Sequence, residues 1–142
     1  MGHNMVRWLS ILVTGMAVCL TAIAIVGCGN RDTPSQVVEK MYQLIKENNC
    51  QEIANLVNDT YPELADRYVK DCPQIADRLV SYSIKRETIT NNFYGATIDG
   101  LVAWVEVEVT IKENGEEETN SVKLFLVKRG DDWKLSEAES RS

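Results

Sequence analysis

Histidine is almost absent from this sequence of 142 residues, in which His3 is the only one. Because His3 precedes the part of the chain that we expect to fold, the folded domain lacks an imidazole that titrates near neutral pH. This excludes a histidine-dependent catalytic dyad or triad and the usual histidine-containing zinc site. We therefore assign no catalytic residue and expect neither a metal site nor a cofactor.

Positive charge is also scarce, with 15 lysines and arginines against 21 aspartates and glutamates. Arg7 is the only charged residue before Cys28, so a chain that begins at Cys28 keeps 14 basic and 21 acidic residues. An acidic chain without a basic patch is poorly suited to bind nucleic acid or anionic lipid headgroups. We expect no nucleic-acid partner, and membrane attachment requires a covalent lipid rather than surface charge.

Long apolar runs are missing except for the uncharged stretch from Trp8 to Val26. A basic start, an apolar middle and small residues before a polar chain are typical of a secretory signal. The residues Ile25-Val26-Gly27-Cys28 resemble a bacterial lipobox, in which the cysteine is acylated, as with palmitate, and becomes the mature N-terminus. This predicts a lipoprotein signal peptide over residues 1–27. The alternative is an uncleaved anchor helix in which Cys28 is incidental.

The four cysteines separate by their context. Cys19 lies in the predicted signal and Cys28 at its end, so Cys50 and Cys72 are the only pair in the remaining chain. An exported protein enters an oxidising compartment, where a disulfide between these two is expected. Closing a loop of this size stabilises a fold by about 3 kcal/mol. The alternative is a pair of buried free thiols.

Helix signals dominate the first half of the chain after Cys28. Thr33-Pro34-Ser35-Gln36 has the pattern of a capping box with proline at the first helical position, and the helix should end at Asn48-Asn49. Asn49 is also placed to cap a second, shorter helix. A third helix is predicted from the capping box Thr60-Tyr61-Pro62-Glu63, with a kink or restart at Pro73.

Strand signals dominate the second half, beginning with a weak strand from Tyr82 to Ile89. After Asp99-Gly100, apolar and polar residues alternate as far as Asn114-Gly115, the preferred turn of a two-residue hairpin. That turn sets the register of the returning strand and predicts these cross-strand pairs: Ala103–Leu126, Trp104–Phe125, Val105–Leu124, Glu106–Lys123, Val107–Val122 and Lys112–Glu117. A last strand places Trp133 and Leu135 in the core.

Helices followed by an antiparallel meander predict an α+β fold, with N-terminal helices packed on a curved antiparallel sheet. With Thr33-Pro34 before the first helix and a final Gly130–Leu135 strand, residues 33–138 resemble the cystatin-like cone of the nuclear-transport-factor and ketosteroid-isomerase superfamily. More closely, the chain resembles small bacterial lipoproteins of unknown function that carry one such domain. The expected organisation is a lipidated cysteine and tether at 28–32, followed by one domain over 33–142.

The resemblance implies a lipid-anchored, extracytoplasmic protein of the cell membrane or outer membrane. The first functional hypothesis is a binding module for an envelope partner protein or a small apolar ligand held between helices and sheet. The second is an enzyme like ketosteroid isomerase that uses a carboxylate and a tyrosine in the cone pocket. Asp66 with Tyr68, or Tyr42 with Tyr82, would be the participants, although tyrosines on apolar faces mostly belong to the core.

One apolar patch is expected on the sheet face away from the helices. It comprises Val102, Trp104, Phe125 and Val127. An apolar patch rimmed by charge is typical of an interface, here with a second copy or an envelope protein. The alternative is that the first strand, the C-terminal tail or sheet curvature covers these side chains.

Overall fold

The computed structural model describes residues 31–137. The predicted signal peptide and Cys28 lie outside these residues, as do residues 138–142. The described chain is α+β, as predicted, with three helices followed by a four-stranded antiparallel sheet. In chain order the elements are helix α1 (Pro34–Lys46), a 3₁₀ helix (Cys50–Leu56), helix α2 (Pro62–Arg78) and strands β1 (Leu79–Phe93), β2 (Ala96–Glu113), β3 (Glu116–Arg129) and β4 (Asp132–Ser136).

Helix α1 begins with the predicted capping box. The Thr33 hydroxyl accepts a hydrogen bond from the Gln36 backbone amide at 3.2 Å, and the Gln36 side chain accepts one from the Thr33 amide at 2.8 Å. These reciprocal bonds satisfy two of the amides that a helix start leaves unpaired. The helix ends before Asn48, whose φ of 54° is left-handed and cannot continue it.

The next two helices differ from their predicted starts. The second is a 3₁₀ helix, and the Asn49 side chain makes no capping hydrogen bond. Helix α2 has Tyr61 at its N-cap, without a side-chain cap, so the predicted capping box at Thr60 is wrong. The Thr60 hydroxyl instead accepts a hydrogen bond from Arg129 at 2.6 Å and so takes part in a tertiary contact. Pro73 lies within a helix that continues to Arg78.

The β2–β3 hairpin has the predicted register, and all six predicted cross-strand pairs are confirmed. Asn114 and Gly115 both have positive φ, at 52° and 83°. Positive φ at both central residues is the requirement of the tight hairpin turn whose twist matches the flanking strands. The chain order of the strands, β1-β2-β3-β4, is also their order in the sheet.

Strand β1 is longer than predicted, because it starts at Leu79 and continues to Phe93. Its pairing with β2 contains three register shifts. Every β1 side chain from Lys85 to Ile89 is exposed. This half of the strand has no buried face, which explains why its sequence lacks the alternation on which a strand prediction depends.

The core lies between the helices and one face of the sheet. Its completely buried side chains are Val38, Ile53, Ala103, Val105, Val107, Leu126 and Leu135. Burial of each large aliphatic side chain contributes about 1.5–3 kcal/mol. The predicted disulfide is present between Cys50 and Cys72, with 5.6 Å between the Cα atoms, and it joins the 3₁₀ helix to α2. Within residues 31–137, no helix is both long and apolar enough to cross a membrane.

Candidate functional site

A cleft of about 580 Å³ opens between the helices and strands β2 and β3. Apolar side chains from both layers form most of its walls: Leu64, Tyr68 and Ile75 of α2, and Val109, Val122 and Leu124 of the sheet. A cleft of this size, lined mainly by apolar groups with a few polar ones, is typical of a small-molecule site.

The position of the cleft follows from the unequal lengths of β3 and β4. Strand β4 pairs only with residues 125–129 of β3. Within residues 31–137, no strand pairs with residues 116–124 of β3 on the side away from β2. Side chains of α2 and of this uncovered half of β3 therefore line the same open space rather than a closed core.

The three cations that line the cleft each have a glutamate partner. Arg67 pairs with Glu137 at 2.6 Å, Arg78 with Glu113 at 3.5 Å, and Lys123 with Glu106 at 3.9 Å. Exposed pairs of this kind contribute at most about 1 kcal/mol each to stability. Their consequence for binding is larger, because each cation at the mouth already has a glutamate partner and attracts an anionic ligand only weakly.

Two tyrosines place phenol groups in the cleft. Burial raises the pKa of Tyr42 to about 12, and the neighbouring Tyr68 adds to the rise. Burial also raises the pKa of Tyr68, although Arg67 beside it acts in the opposite direction. The ring of Tyr42 stacks on that of Tyr82, with 4.9 Å between their centroids. Both cleft phenols are therefore neutral at physiological pH and can donate or accept a hydrogen bond.

The carboxylate–tyrosine pairs considered from the sequence are only partly assembled. Tyr42 and Tyr68 line the cleft, whereas Asp66 is exposed and is not among the residues that line it. The carboxylates at the cleft are Asp71 and Glu137, both on exposed residues. Neither carboxylate is enclosed by the walls of the cleft, and Glu137 is engaged by Arg67.

The predicted outer-face patch is present as neighbouring side chains, of which Val102 and Phe125 are buried and Trp104 and Val127 are half-buried. Phe93, next to the turn between β1 and β2, packs against two of them, with its ring 5.1 Å from Phe125 and 6.4 Å from Trp104. The strand β1 thus covers part of the patch, and the interface hypothesis stays a prediction.

Four neighbouring rings form what we call the aromatic cluster: Phe93, Tyr94, Trp104 and Phe125. The ring of Tyr94 lies 4.5 Å from that of Phe93 and 6.4 Å from that of Trp104. Sequence reasoning missed Phe93 and Tyr94, because they lie at a turn outside the predicted strand. The sequence signal that could have found them is Gly95, a turn-forming residue directly after Phe93-Tyr94. In the structure Tyr94 and Gly95 both have positive φ.

Grouped metal ligands are not found in the described part of the chain, where no three histidine, cysteine, aspartate or glutamate side chains lie together in a suitable arrangement. Glu106 and Glu108 of β2 are instead paired with cations, Glu106 with Arg86 at 3.5 Å and Glu108 with Lys85 at 2.8 Å.

Comparisons with known proteins do not assign the chain to a family. No protein-family model matches it, and no curated protein matches its sequence. Its function must therefore be inferred from the sequence signals and from the geometry of the cleft.

Proposed function

We propose that this protein is a membrane-anchored, extracytoplasmic lipoprotein whose domain binds a small apolar ligand in the cleft between helices and sheet. The observation that carries the proposal is the cleft itself, about 580 Å³ in volume and open between α2 and β3. An open cleft with apolar walls leaves apolar surface in contact with water, and concave surface of this kind is typical of a ligand site.

The ligand class follows from the lining. Apolar walls favour an aliphatic or alicyclic group, and an anionic group gains little at the mouth because the cations there are already paired. The neutral phenols of Tyr42 and Tyr68 would orient a hydroxyl or carbonyl group by hydrogen bonding. An uncharged amphiphile with one polar group meets all three conditions.

Binding is favoured over catalysis by the position of the carboxylates. A ketosteroid-isomerase-like mechanism requires a carboxylate inside the pocket to abstract a proton. Asp71 and Glu137 are exposed, and Glu137 is engaged by Arg67. Binding of an envelope protein at the same cleft is the competing hypothesis. The photocrosslinking experiment described below distinguishes it from binding of a small ligand.

The finer fold assignment is also a proposal. Helices packed on one face of an antiparallel sheet, with a cleft between the layers, support a cystatin-like cone. In that arrangement the cleft would be the mouth of the cone.

The anchor proposal rests on the lipobox-like Ile25-Val26-Gly27-Cys28 and on the start of the polar chain directly after it. The Cys50–Cys72 disulfide supports export, because structural disulfides persist in oxidising compartments. Both signals favour an extracytoplasmic position at the cell membrane or outer membrane.

Photocrosslinking tests the ligand proposal. Full-length protein is incubated with a diazirine-bearing C16 alkanol, irradiated and digested, and the labelled peptides are identified by mass spectrometry. We expect labels on peptides from α2 and from β3. Val122→Lys places a charge in the cleft and should reduce this labelling at least tenfold, because a buried ammonium excludes an aliphatic chain.

Ser121→Lys is the matched control, because the same new side chain lies one residue away on the exposed outer face. It should label as the wild type does. Equal labelling of the two variants, or no cleft labelling in the wild type, would overturn the ligand proposal. Labelling that another envelope protein blocks when added at equal concentration would favour the protein-partner hypothesis.

Intact mass tests the anchor separately. Protein extracted from its host membrane should begin at Cys28 and carry acyl and glyceryl mass, and Cys28→Ser should abolish both the cleavage and the added mass. Cys19→Ser is the control and should leave them unchanged. A chain that keeps its N-terminal residues and an unmodified Cys28 contradicts the anchor.

A further inference from the structure

The tip of the β1–β2 hairpin has almost no charge. Between residues 88 and 105 the only charged residue is Asp99, in a chain of which 25% is charged. Three large hydrophobic side chains are exposed in this segment: Ile89 at 47%, Tyr94 at 64% and Leu101 at 38%. Exposed apolar side chains grouped on one nearly uncharged hairpin are typical of a contact with another apolar phase.

The aromatic cluster belongs to the same hairpin but lies on the other sheet face from Ile89, because Ile89 pairs with Ala103 and Thr88 with Trp104. Phe93 and Tyr94, at the turn, pack with Trp104 and Phe125 on the outer sheet face. Tyr94 is the most exposed of the large hydrophobic residues. Tyrosine and tryptophan rings, with an apolar body and a polar edge, concentrate where bilayer headgroups meet acyl chains.

The aromatic cluster lies at the level of the sheet where α1 begins. The Ser35 amide and hydroxyl donate hydrogen bonds to the Glu87 carboxylate at 2.9 and 2.5 Å. The next residue, Thr88, pairs with Trp104 of the aromatic cluster. The start of α1 and the cluster are therefore at the same level along β2, on its two faces.

Covalent geometry limits how far this end can be from the anchor. Five peptide units separate Cys28 from Thr33, the N-cap of α1, and a fully extended chain of that length spans at most about 18 Å. A lipid on Cys28 would therefore hold the start of α1, and with it the level of the aromatic cluster, near the bilayer, whereas the β2–β3 turn follows the far end of β2 at Glu113.

We propose that the β1–β2 hairpin tip, with Tyr94 outermost, contacts the interfacial layer of the bilayer to which Cys28 is anchored. The inference rests on the anchor proposed above. It adds a second point of membrane contact that fixes the orientation of the domain. Because the segment lacks basic residues, burial of apolar surface drives the contact, and anionic lipid is not required.

Fluorescence quenching by brominated lipid tests this contact in the full-length, acylated protein. The protein is reconstituted in phosphatidylcholine vesicles whose acyl chains carry bromine near the headgroup, and a tryptophan is added by Tyr94→Trp. The emission of the added tryptophan is obtained by subtracting the wild-type spectrum. On binding to vesicles its maximum should shift to shorter wavelength, and its intensity in brominated vesicles should be at most half of that in unbrominated vesicles. Glu116→Trp, at the opposite end of β2, is the matched control and should show neither change.

Every outcome bears on the proposal. Absence of quenching for Tyr94→Trp, or equal quenching for both variants, overturns it. If the emission of the added tryptophan changes with the protein-to-lipid ratio but not with bromine, the hairpin tip contacts a second copy of the protein. That result also overturns the proposal. Flotation of the vesicles tests the anchor independently: protein that floats without quenching contradicts only the tip contact, whereas protein that does not float contradicts the anchor and this inference together.

Discussion

Arg129 of β3 donates a hydrogen bond from Nε to the side-chain oxygen of Asn58, which lies 71 residues earlier, at 3.3 Å. The same oxygen accepts a hydrogen bond from the Thr60 backbone amide at 3.2 Å. The backbone amide of Asn58 donates a hydrogen bond to the Leu135 carbonyl at 2.8 Å. Asn58 is only 1% exposed. One buried residue thus joins the segment before α2 to two strands of the sheet.

Asn58→Ala should lower the free energy of unfolding by about 2–3 kcal/mol, because it removes the hydrogen bonds that this buried side chain accepts from the Thr60 amide and from Arg129. Urea denaturation followed by circular dichroism measures the loss. Asn91→Ala, at an exposed position of β1, is the control and should change stability by less than about 0.5 kcal/mol. A loss at Asn58 no larger than that would contradict the structural role.

Reduction of the Cys50–Cys72 disulfide should lower stability by about 3 kcal/mol, because the reduced chain regains the entropy of a loop with a sequence separation of 22 residues. Urea titrations with and without a phosphine reductant measure the difference. The double variant Cys50→Ala/Cys72→Ala should be insensitive to the reductant. If reductant destabilised that variant equally, its target would lie elsewhere.

Alkaline pH should destabilise the fold through Tyr42. Its folded pKa, about 12, exceeds the ordinary value of 10.0, so the unfolded chain loses this proton first as pH rises. The contribution of the neutral Tyr42 phenol to the free energy of unfolding is complete below pH 10, and it disappears as the pH rises through 12. Between pH 9 and pH 11 this residue alone should cost about 1 kcal/mol. The decline over that interval should be smaller in Tyr42→Phe, and an identical decline in the two proteins would refute the assignment.

The β2–β3 turn should tolerate glycine at its first central position, Asn114, but not alanine at its second, Gly115. Gly115 has a φ of 83°, and Gly115→Ala should cost about 1 kcal/mol because a Cβ atom disfavours positive φ. A Cβ atom at this position would have no neighbour within 4 Å, so steric contact adds nothing to that cost. Asn114→Gly keeps the turn and should change stability by only a few tenths of a kcal/mol. Thermal unfolding of the two variants compares them directly.

The sequence predicted best where one local signal determines a long stretch of structure. Asn114-Gly115 determines the turn, and because side chains alternate across a strand, the turn then determines each β2–β3 pair from Ala103 to Lys112. The capping box at Thr33 is similarly local, since both of its hydrogen bonds are made within three residues. Each of these predictions needed no knowledge of distant parts of the chain.

Prediction from the sequence failed where a side chain contacts a residue that is distant in the sequence. Thr60 has the sequence of a helix cap, but Arg129 takes its hydroxyl, and no local pattern reveals that contact. The strand prediction from Tyr82 to Ile89 missed both ends of β1, where register shifts in the pairing with β2 interrupt the alternation of side chains. The cleft was foreseen only as a space between helices and sheet, since its walls join Leu64 and Ile75 of α2 to Val122 and Leu124 of β3.

The short strand β4 has a consequence for the behaviour of the protein at high concentration. It leaves residues 116–124 of β3 as a sheet edge without a strand partner in the described chain. Such an edge is a template for intermolecular strand addition and fibril growth. Glu116, Glu117 and Glu118 occupy its first three positions and are all exposed. A second copy added parallel and in register, as in many fibrils, would bring its own glutamates beside them, so like-charge repulsion opposes that mode of aggregation at this edge.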